Sequence, residues 1–272
     1  MPIYQAIVLA VVQGLTEFLP ISSTAHLVLF PWLLGWKDPG LTFDVALHAG
    51  TLVAVLLYFW RLWVEMLMAV AGVGGAAPEK ISEHRRLFWF LMLGTIPGGI
   101  AGLLFEHAAE EQFRQPLVIG LAMIIVALLM WAGERVQHSK AALKDVSFVD
   151  SVVVGVAQAF AVIPGVSRSG VTMTGGLFRG LSRETCARFS FLLSTPLIAG
   201  AVLKKGWEIH HEGIPADMRL PFILGVIVSG LVGVAVIAFL IRYLERRTFK
   251  IFVVYRIVLG VIVSILGWGL RH

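Results

Sequence analysis

Ten apolar segments divide this chain, at about 3–19, 27–36, 45–60, 87–105, 116–133, 147–166, 171–180, 189–203, 220–241 and 249–269. A helix needs about 20 residues to cross the hydrocarbon core of a bilayer, so the segments near 10 residues cannot span it alone. Charged residues make up only 14% of the chain and hydrophobic ones 58%, whereas a soluble domain carries about a quarter charged. The chain is therefore read as an integral membrane protein. Two pairs of segments are interrupted, one by Pro20 and one by Pro164-Gly165. Non-helical backbone at membrane depth is tolerated only where protein or a wet cavity surrounds it. Each interrupted pair is accordingly predicted to form a re-entrant helical hairpin.

The two interruptions are related. At an offset of 145 positions Gln13 meets Gln158 and Ser22-Ser23-Thr24 meets Ser167-Arg168-Ser169, with a proline shortly before each serine cluster. The match continues from Thr42-Phe43-Asp44 into Arg188-Phe189-Ser190, and three longer segments complete each half. The expected fold is an all-α polytopic membrane protein of one domain, 1–272, made of repeat one (1–135) and repeat two (146–272). Each repeat holds one re-entrant hairpin and three transmembrane helices, giving six spans and two re-entrant pairs. An odd number of spans per repeat turns the second upside down, the inverted-repeat architecture in which broken helices meet near the midplane.

Charge supports this topology. One side receives Lys37, Arg114, Lys204, Lys205, Arg219 and Arg271. The other receives Arg61, Lys80, Arg85, Arg86, Arg135, Lys140, Lys144, Arg179, Arg183, Arg188, Arg242, Arg246, Arg247 and Lys250. Cytoplasmic loops carry the excess of basic residues, so the second side is expected to face the cytoplasm, with both termini outside. The N-terminus lacks a basic region and a cleavage site and is expected to belong to the mature fold. A net charge of +5 reports this topology; with no basic stripe on a soluble face, nucleic acid is not an expected partner.

The chemistry lies in the hairpins. Gln13 and Glu17 are four apart and share a helical face. A carboxylate at that depth needs a cation or a hydrogen-bonding partner, which Arg168, His26 or a metal could supply. Ser22, Ser23 and Thr24 precede a helix, where capping side chains and free N–H groups gather, and such a start binds anions, phosphate above all. Local capping alone would also explain three hydroxyls there. His26 lies three residues beyond Ser23, placing an acid–base group beside a hydroxyl nucleophile. Ser167-Arg168-Ser169, with Thr172 a turn later, brings a guanidinium suited to a bidentate grip on phosphate; the same arginine could simply neutralise Glu17.

Other polar residues rank lower. Asp44 and His48 share a face and could line the cavity mouth or cap the helix. Arg256 could snorkel to the surface or close the site. His107, Glu110, Glu111, His210 and His211 read as loop residues, the loop 61–86 between the third and fourth segments, with Gly72, Gly74, Gly75, Pro78, Glu79, Lys80, Glu83, Arg85 and Arg86, as a solvated connector, and Trp32, Trp60 and Trp268 as interface anchors. The single cysteine, Cys186, excludes an internal disulfide and is read as a small apolar filler.

Gln13-x3-Glu17 with Ser22-Ser23-Thr24-Ala25-His26, and Pro164-Gly165-Val166-Ser167-Arg168-Ser169-Gly170-Val171-Thr172, resemble the two signature motifs of the bacterial undecaprenyl-diphosphate phosphatases, the bacitracin-resistance family. The resemblance covers essentially the whole chain. It implies removal of the terminal phosphate of undecaprenyl diphosphate, giving undecaprenyl phosphate and inorganic phosphate, so that the lipid carrier of cell-wall synthesis is reused. It further implies a divalent cation, Mg2+ or Ca2+, held in part by Glu17. Catalytic roles fall to Glu17, Ser23, His26 and Arg168, and substrate binding to Gln13, Ser22, Thr24, Ser167, Ser169 and Thr172. Many members have glutamate where this chain has Gln13, so Gln13 is expected to orient rather than to act as a base.

Ser23, His26 or an activated water could attack the phosphorus. Expected partners are the polyprenyl diphosphate and membrane lipids; a homodimer is compatible with the family, though no segment specifies one. The expected location is the bacterial inner membrane, with the site open to the outer face. The rival reading is a lipid-carrier flippase on the same inverted-repeat fold. Ser23 beside an acid–base residue speaks against it, because a carrier needs no nucleophile.

Overall fold

The computed structural model describes residues 1–73, 77–105, 113, 115–137 and 140–269. They form eleven α-helices: α1 (Ile3–Thr16), α2 (Ser23–Leu34), α3 (Leu41–Tyr58), α4 (Trp60–Ala71), α5 (Pro78–Leu104), α6 (Pro116–Val136), α7 (Phe148–Ala159), α8 (Arg168–Phe178), α9 (Arg183–Glu212), α10 (Ala216–Arg246) and α11 (Lys250–Gly269). Strands are absent among the described residues apart from one isolated bridge between Ala141 and Leu181. Six helices, α3, α5, α6, α9, α10 and α11, are long and apolar enough to cross a membrane. Their exposed residues are large and apolar, among them Leu103, Ile125, Leu231, Val258 and Ile265, as a lipid-facing surface requires.

The interrupted segments are short helices. Helix α1 stops at Thr16, and the chain turns through Pro20 before Ser22 starts α2 by accepting a hydrogen bond from the Ala25 N–H. Helix α7 runs into a 3-10 turn, Phe160–Val162, and Ser167 starts α8 by accepting from the Gly170 N–H. Ser22 (φ 78°) and Ser167 (φ 71°) are the non-glycine residues with positive φ among those described. A residue with a Cβ is held there only when its surroundings compel it.

One region departs from the sequence reading. The connector expected up to Arg86 holds helix α4 and the first turns of α5. Trp63, Met66 and Ala69 recur every three residues and bury one stripe of α4, while Trp60, Val64, Leu67 and Met68 remain exposed. Gly72 (φ 72°) ends the helix in the left-handed conformation, Arg85 Nε and Nη2 donate to the Ala69 carbonyl, and Pro78 opens α5 where a missing N–H costs nothing. Gly74 and Gly75 lie outside the described residues, as do His107, Glu110, Glu111, Arg114 and Arg271, and so does the side chain of Trp268.

Packing brings the short helices to the centre. Helix α10 packs against α1 and α3, α5 against α7, α6 against α11 and α8, and α9 against α3, α5 and α8. The largest buried cluster includes Phe18, Val55, Leu91, Met173, Phe189, Phe191, Ile237 and Leu240. Helices α3 and α10 meet at Gly50, where any Cβ would collide with Ser229 Oγ and the Val226 carbonyl. That close approach sets α3, and with it His48, against the first turn.

Candidate functional site

The turn after α1 and the turn before α8 are joined directly. Ser22 Oγ accepts from the Gly165 N–H at 3.2 Å, and Ser169 Oγ donates to the Leu19 carbonyl at 3.1 Å. Arg256, fully buried on α11, spans both: Nη1 donates to the Pro20 carbonyl (3.1 Å), Nη2 to those of Gly165 (2.8 Å) and Val166 (3.0 Å), and Nε to that of Met123 (3.2 Å). The guanidinium neither snorkels nor enters the site; its donors are spent on four carbonyls. Gly165 (φ +95°) is fitted against the Ile119 carbonyl, where a Cβ has no room.

Glu17 occupies the centre. Its Oε1 accepts from Arg168 Nη2 at 2.8 Å, and its Oε2 from Ser23 Oγ at 2.7 Å and Gln13 Nε2 at 3.1 Å. His48 Nε2 stands 3.4 Å from the same Oε2, while its Nδ1 meets the Asp44 carbonyl at 2.7 Å. Arg168 is held on its other side by Ser190, whose carbonyl accepts from Nη1 at 3.0 Å. Phe18 and Phe191, each adjacent in sequence to one of these polar residues, pack edge to face at 5.2 Å and close the apolar floor. A carboxylate so enclosed is retained because four donors or cationic groups surround it.

The remaining predicted residues divide. Ser23 faces Glu17, as a nucleophile faces a base. His26 does not hydrogen-bond to Ser23: its Nδ1 meets the Ser22 carbonyl at 2.6 Å and its Nε2 the Tyr255 hydroxyl at 2.7 Å. Since a carbonyl only accepts, Nδ1 carries a proton. Thr24 is partly exposed beside them. Ser22, Ser167, Ser169 and Thr172 spend their hydroxyls on the fold. Thr172 Oγ1 donates to the Arg168 carbonyl at 2.7 Å and lies 2.7 Å from Ser190 Oγ, and Ser167 Oγ lies 3.3 Å from Ser169 Oγ. What these serines present to a ligand is the start of α2 and of α8, whose first N–H groups have no partner within the helix.

Sequence reasoning missed Ser190 and Tyr255 and ranked His48 low. The repeat held a signal for one of them: Ser190 is the counterpart of Asp44 when the two halves are aligned. Nothing in the pattern distinguishes Tyr255.

A divalent cation would have a limited protein share here. Among the described residues no group of three or more His, Cys, Asp or Glu is gathered as a metal cage. Gln13 Oε1, however, is buried without a hydrogen-bond partner next to Glu17. One carboxylate and one amide oxygen suit Mg2+, which keeps waters and takes substrate phosphate oxygens rather than an all-protein shell.

Comparison with known proteins shows the family. The family described as "Bacitracin resistance protein BacA" matches residues 6–262. The chain is 49% identical over 267 residues to the undecaprenyl-diphosphatase of Pelotomaculum thermopropionicum, covering 98% of this chain and 97% of that protein. It is 50% identical over 269 residues to the undecaprenyl-diphosphatase of Moorella thermoacetica (98% and 99% covered) and 48% identical over 265 residues to that of Desulforudis audaxviator (97% of each). With both motifs in place, a match over nearly its whole length and relatives at this identity, the chain belongs to the bacitracin resistance protein BacA family.

Proposed function

We propose that this chain is an undecaprenyl-diphosphate phosphatase working through the Glu17–Ser23–Arg168 cluster. It is a hydrolase that converts undecaprenyl diphosphate and water into undecaprenyl phosphate and inorganic phosphate, returning the lipid carrier to cell-wall synthesis. The observation that carries the reading is Ser23 Oγ donating to Glu17 Oε2 at 2.7 Å while Arg168 holds the other oxygen. A flippase has no use for a hydroxyl paired with a buried carboxylate.

The diphosphate enters between the starts of α2 and α8, which supply N–H donors, and Arg168 neutralises its charge. Ser23 attacks the terminal phosphorus as Glu17 takes its proton, and undecaprenyl phosphate leaves. Water then opens the phosphoserine, and the proton returns to Ser23. His26, tied to the Ser22 carbonyl and to Tyr255, holds the turn and lies one helical turn from the attacking oxygen. Glu17 and Gln13 Oε1 would hold Mg2+ or Ca2+, which when bound would offset negative charge on the phosphate oxygens.

The proposed topology is two inverted repeats with α1–α2 and α7–α8 as re-entrant pairs. Supporting it, α1 and α7 have 14 and 12 residues, about 21 and 18 Å at 1.5 Å per residue, short of a bilayer core of about 30 Å. The reading includes both termini outside the bacterial inner membrane and a site open to the outer face. A homodimer is compatible with the exposed apolar sides of the spans.

The test is phosphate release from undecaprenyl diphosphate by the purified protein in detergent, with and without Mg2+. Ser23→Ala and Glu17→Gln should lose activity by at least about 10²-fold, and rapid quenching with terminally labelled substrate should trap label on the wild type alone. Full activity in Ser23→Ala would exclude Ser23 as nucleophile, and wild-type activity in Glu17→Gln would exclude the cluster. For access, Thr24→Cys should react with a membrane-impermeant thiol reagent in intact cells; protection there with labelling from the cytoplasmic side would reverse the orientation.

A further inference from the structure

A second cleft lies at the start of α9, with a volume near 810 Å³. None of its lining residues belongs to the cluster around Glu17. Two of them, Lys140 and Lys144, come from the connector between α6 and α7, and two, Arg183 and Arg188, from the first turns of α9. Leu143, partly buried, gives it an apolar edge, with Leu244 buried behind it.

The connector is held against the start of α9. Gln137 Nε2 donates to the Leu181 carbonyl at 3.1 Å, the Ser182 N–H donates to the Ala141 carbonyl at 3.1 Å, and Ala141 and Leu181 form the isolated parallel bridge. The Ala142 N–H donates to Asp145 Oδ2 at 2.9 Å, closing the turn that carries Lys144. The backbone that carries the lysines is thus tied to the start of α9.

The charges around the cleft do not cancel evenly. Arg183 is taken by Glu134, with Nε at 2.6 Å from Oε1, and Arg188 by Glu184, again at 2.6 Å. Lys140 and Lys144 make no ion pair among the described residues, and the cleft's remaining carboxylate is Glu245. The lining therefore carries two lysines outside any ion pair and one further carboxylate. Such a basic recess between helix ends, with an apolar edge beside it, has the chemistry of a site for a phosphate carried at a membrane surface.

We propose that this cleft is a second phosphate-binding site, with Lys140 and Lys144 as its phosphate-contacting cations. Its occupant is either the phosphate of an anionic membrane lipid, with a chain against Leu143, or free inorganic phosphate. The proposal does not depend on the hydrolytic reading, since no residue is shared between the sites.

The test uses the full chain in nanodiscs of pure phosphatidylcholine or of phosphatidylcholine with phosphatidylglycerol. Lipid retention is read by native mass spectrometry, and inorganic phosphate is titrated in the pure phosphatidylcholine discs at constant ionic strength by thermal shift. The variant is Lys140→Gln with Lys144→Gln; the control, Arg247→Gln with Lys250→Gln, removes two exposed charges outside the cleft. Wild type and control should retain phosphatidylglycerol or be stabilised by phosphate, and the lysine variant should bind the same ligand about 30-fold more weakly. Retention with no response to inorganic phosphate identifies the lipid, and the reverse identifies the free anion. Equal loss in variant and control, or no binding of either ligand by the wild type, overturns the proposal. Phosphate release from undecaprenyl diphosphate should be unchanged in the lysine variant, which confirms that it is folded.

Discussion

Arg168 Nη2 stands 2.8 Å from Glu17 Oε1 across 151 positions of sequence, and both side chains are almost wholly enclosed. Neither group could remain charged there alone, so the pair ties the end of α1 to the start of α8. Ser190 and Ser23 hold its two ends in register. The ion pair expected from charge balance and the motif residues Glu17, Ser23 and Arg168 thus meet in one cluster.

The pair should show coupling. Glu17→Gln and Arg168→Met each leave a buried charge unpaired and are expected to cost roughly 3–5 kcal/mol. The double variant should cost less than the sum, by about 1–3 kcal/mol. Denaturant unfolding in detergent micelles measures all three; strict additivity would mean that the contact does not hold the turns together. Phosphate release should be lost in every case.

The two strained serines make a sharper test. At Ser22 and Ser167 the backbone sits at positive φ and the hydroxyl caps a helix. Alanine loses the cap and keeps the strain, whereas glycine loses the cap and relieves the strain. Ser22→Ala and Ser167→Ala should therefore each be less stable than the matching glycine variant by roughly 1 kcal/mol. Thermal midpoints in one detergent rank the four variants, and an alanine variant as stable as its glycine counterpart would remove strain from the account.

Gly50 links helix packing to the site. Gly50→Ala would press α3 away from α10 at Ser229, costing about 1–3 kcal/mol. His48 lies two residues earlier, so the same displacement should separate it from Glu17. Activity should therefore fall more than in Gly99→Ala, where the structure has open space around the added methyl. Parallel assays of phosphate release and thermal midpoint distinguish the two; equal activity would detach His48 from the site.

Much of this was legible in the residues. Six candidate spans follow from the length of the apolar runs once the two proline-interrupted pairs are set aside, and the cost of burying Glu17 alone names Arg168 among its possible partners. Helix α4 is hard to separate in the sequence because Trp60–Ala71 is apolar on both its buried and its exposed side and adjoins a glycine-rich stretch, so its start merges with the preceding span. By sequence the hydroxyls at the helix starts fit ligand binding and capping alike, because such a hydroxyl serves the backbone as readily; the structure has those of Ser22, Ser167 and Thr172 engaged within the protein. His26 is three residues from Ser23, but its ring is turned by the Ser22 carbonyl and Tyr255, a residue from the far end of the chain. Spacing along one helix carries no information about such a partner.

Arg256 illustrates the same limit and supports the last prediction. Its guanidinium is fully buried and donates to carbonyls of Pro20, Gly165, Val166 and Met123, so it fixes both turns without touching the Glu17 cluster. An ammonium has three donors on a flexible stem and cannot reproduce that planar fork. Arg256→Lys should fold with a lowered thermal midpoint and lose about 10²-fold in kcat, because displacement of the turns by about 1 Å misplaces Ser23 and the N–H donors. Arg256→Met, which leaves the four carbonyls without this donor, should be worse on both counts. If Arg256→Lys lowers the thermal midpoint but keeps wild-type kcat and KM at a temperature where it is fully folded, Arg256 supports the bundle and not the alignment of the two turns.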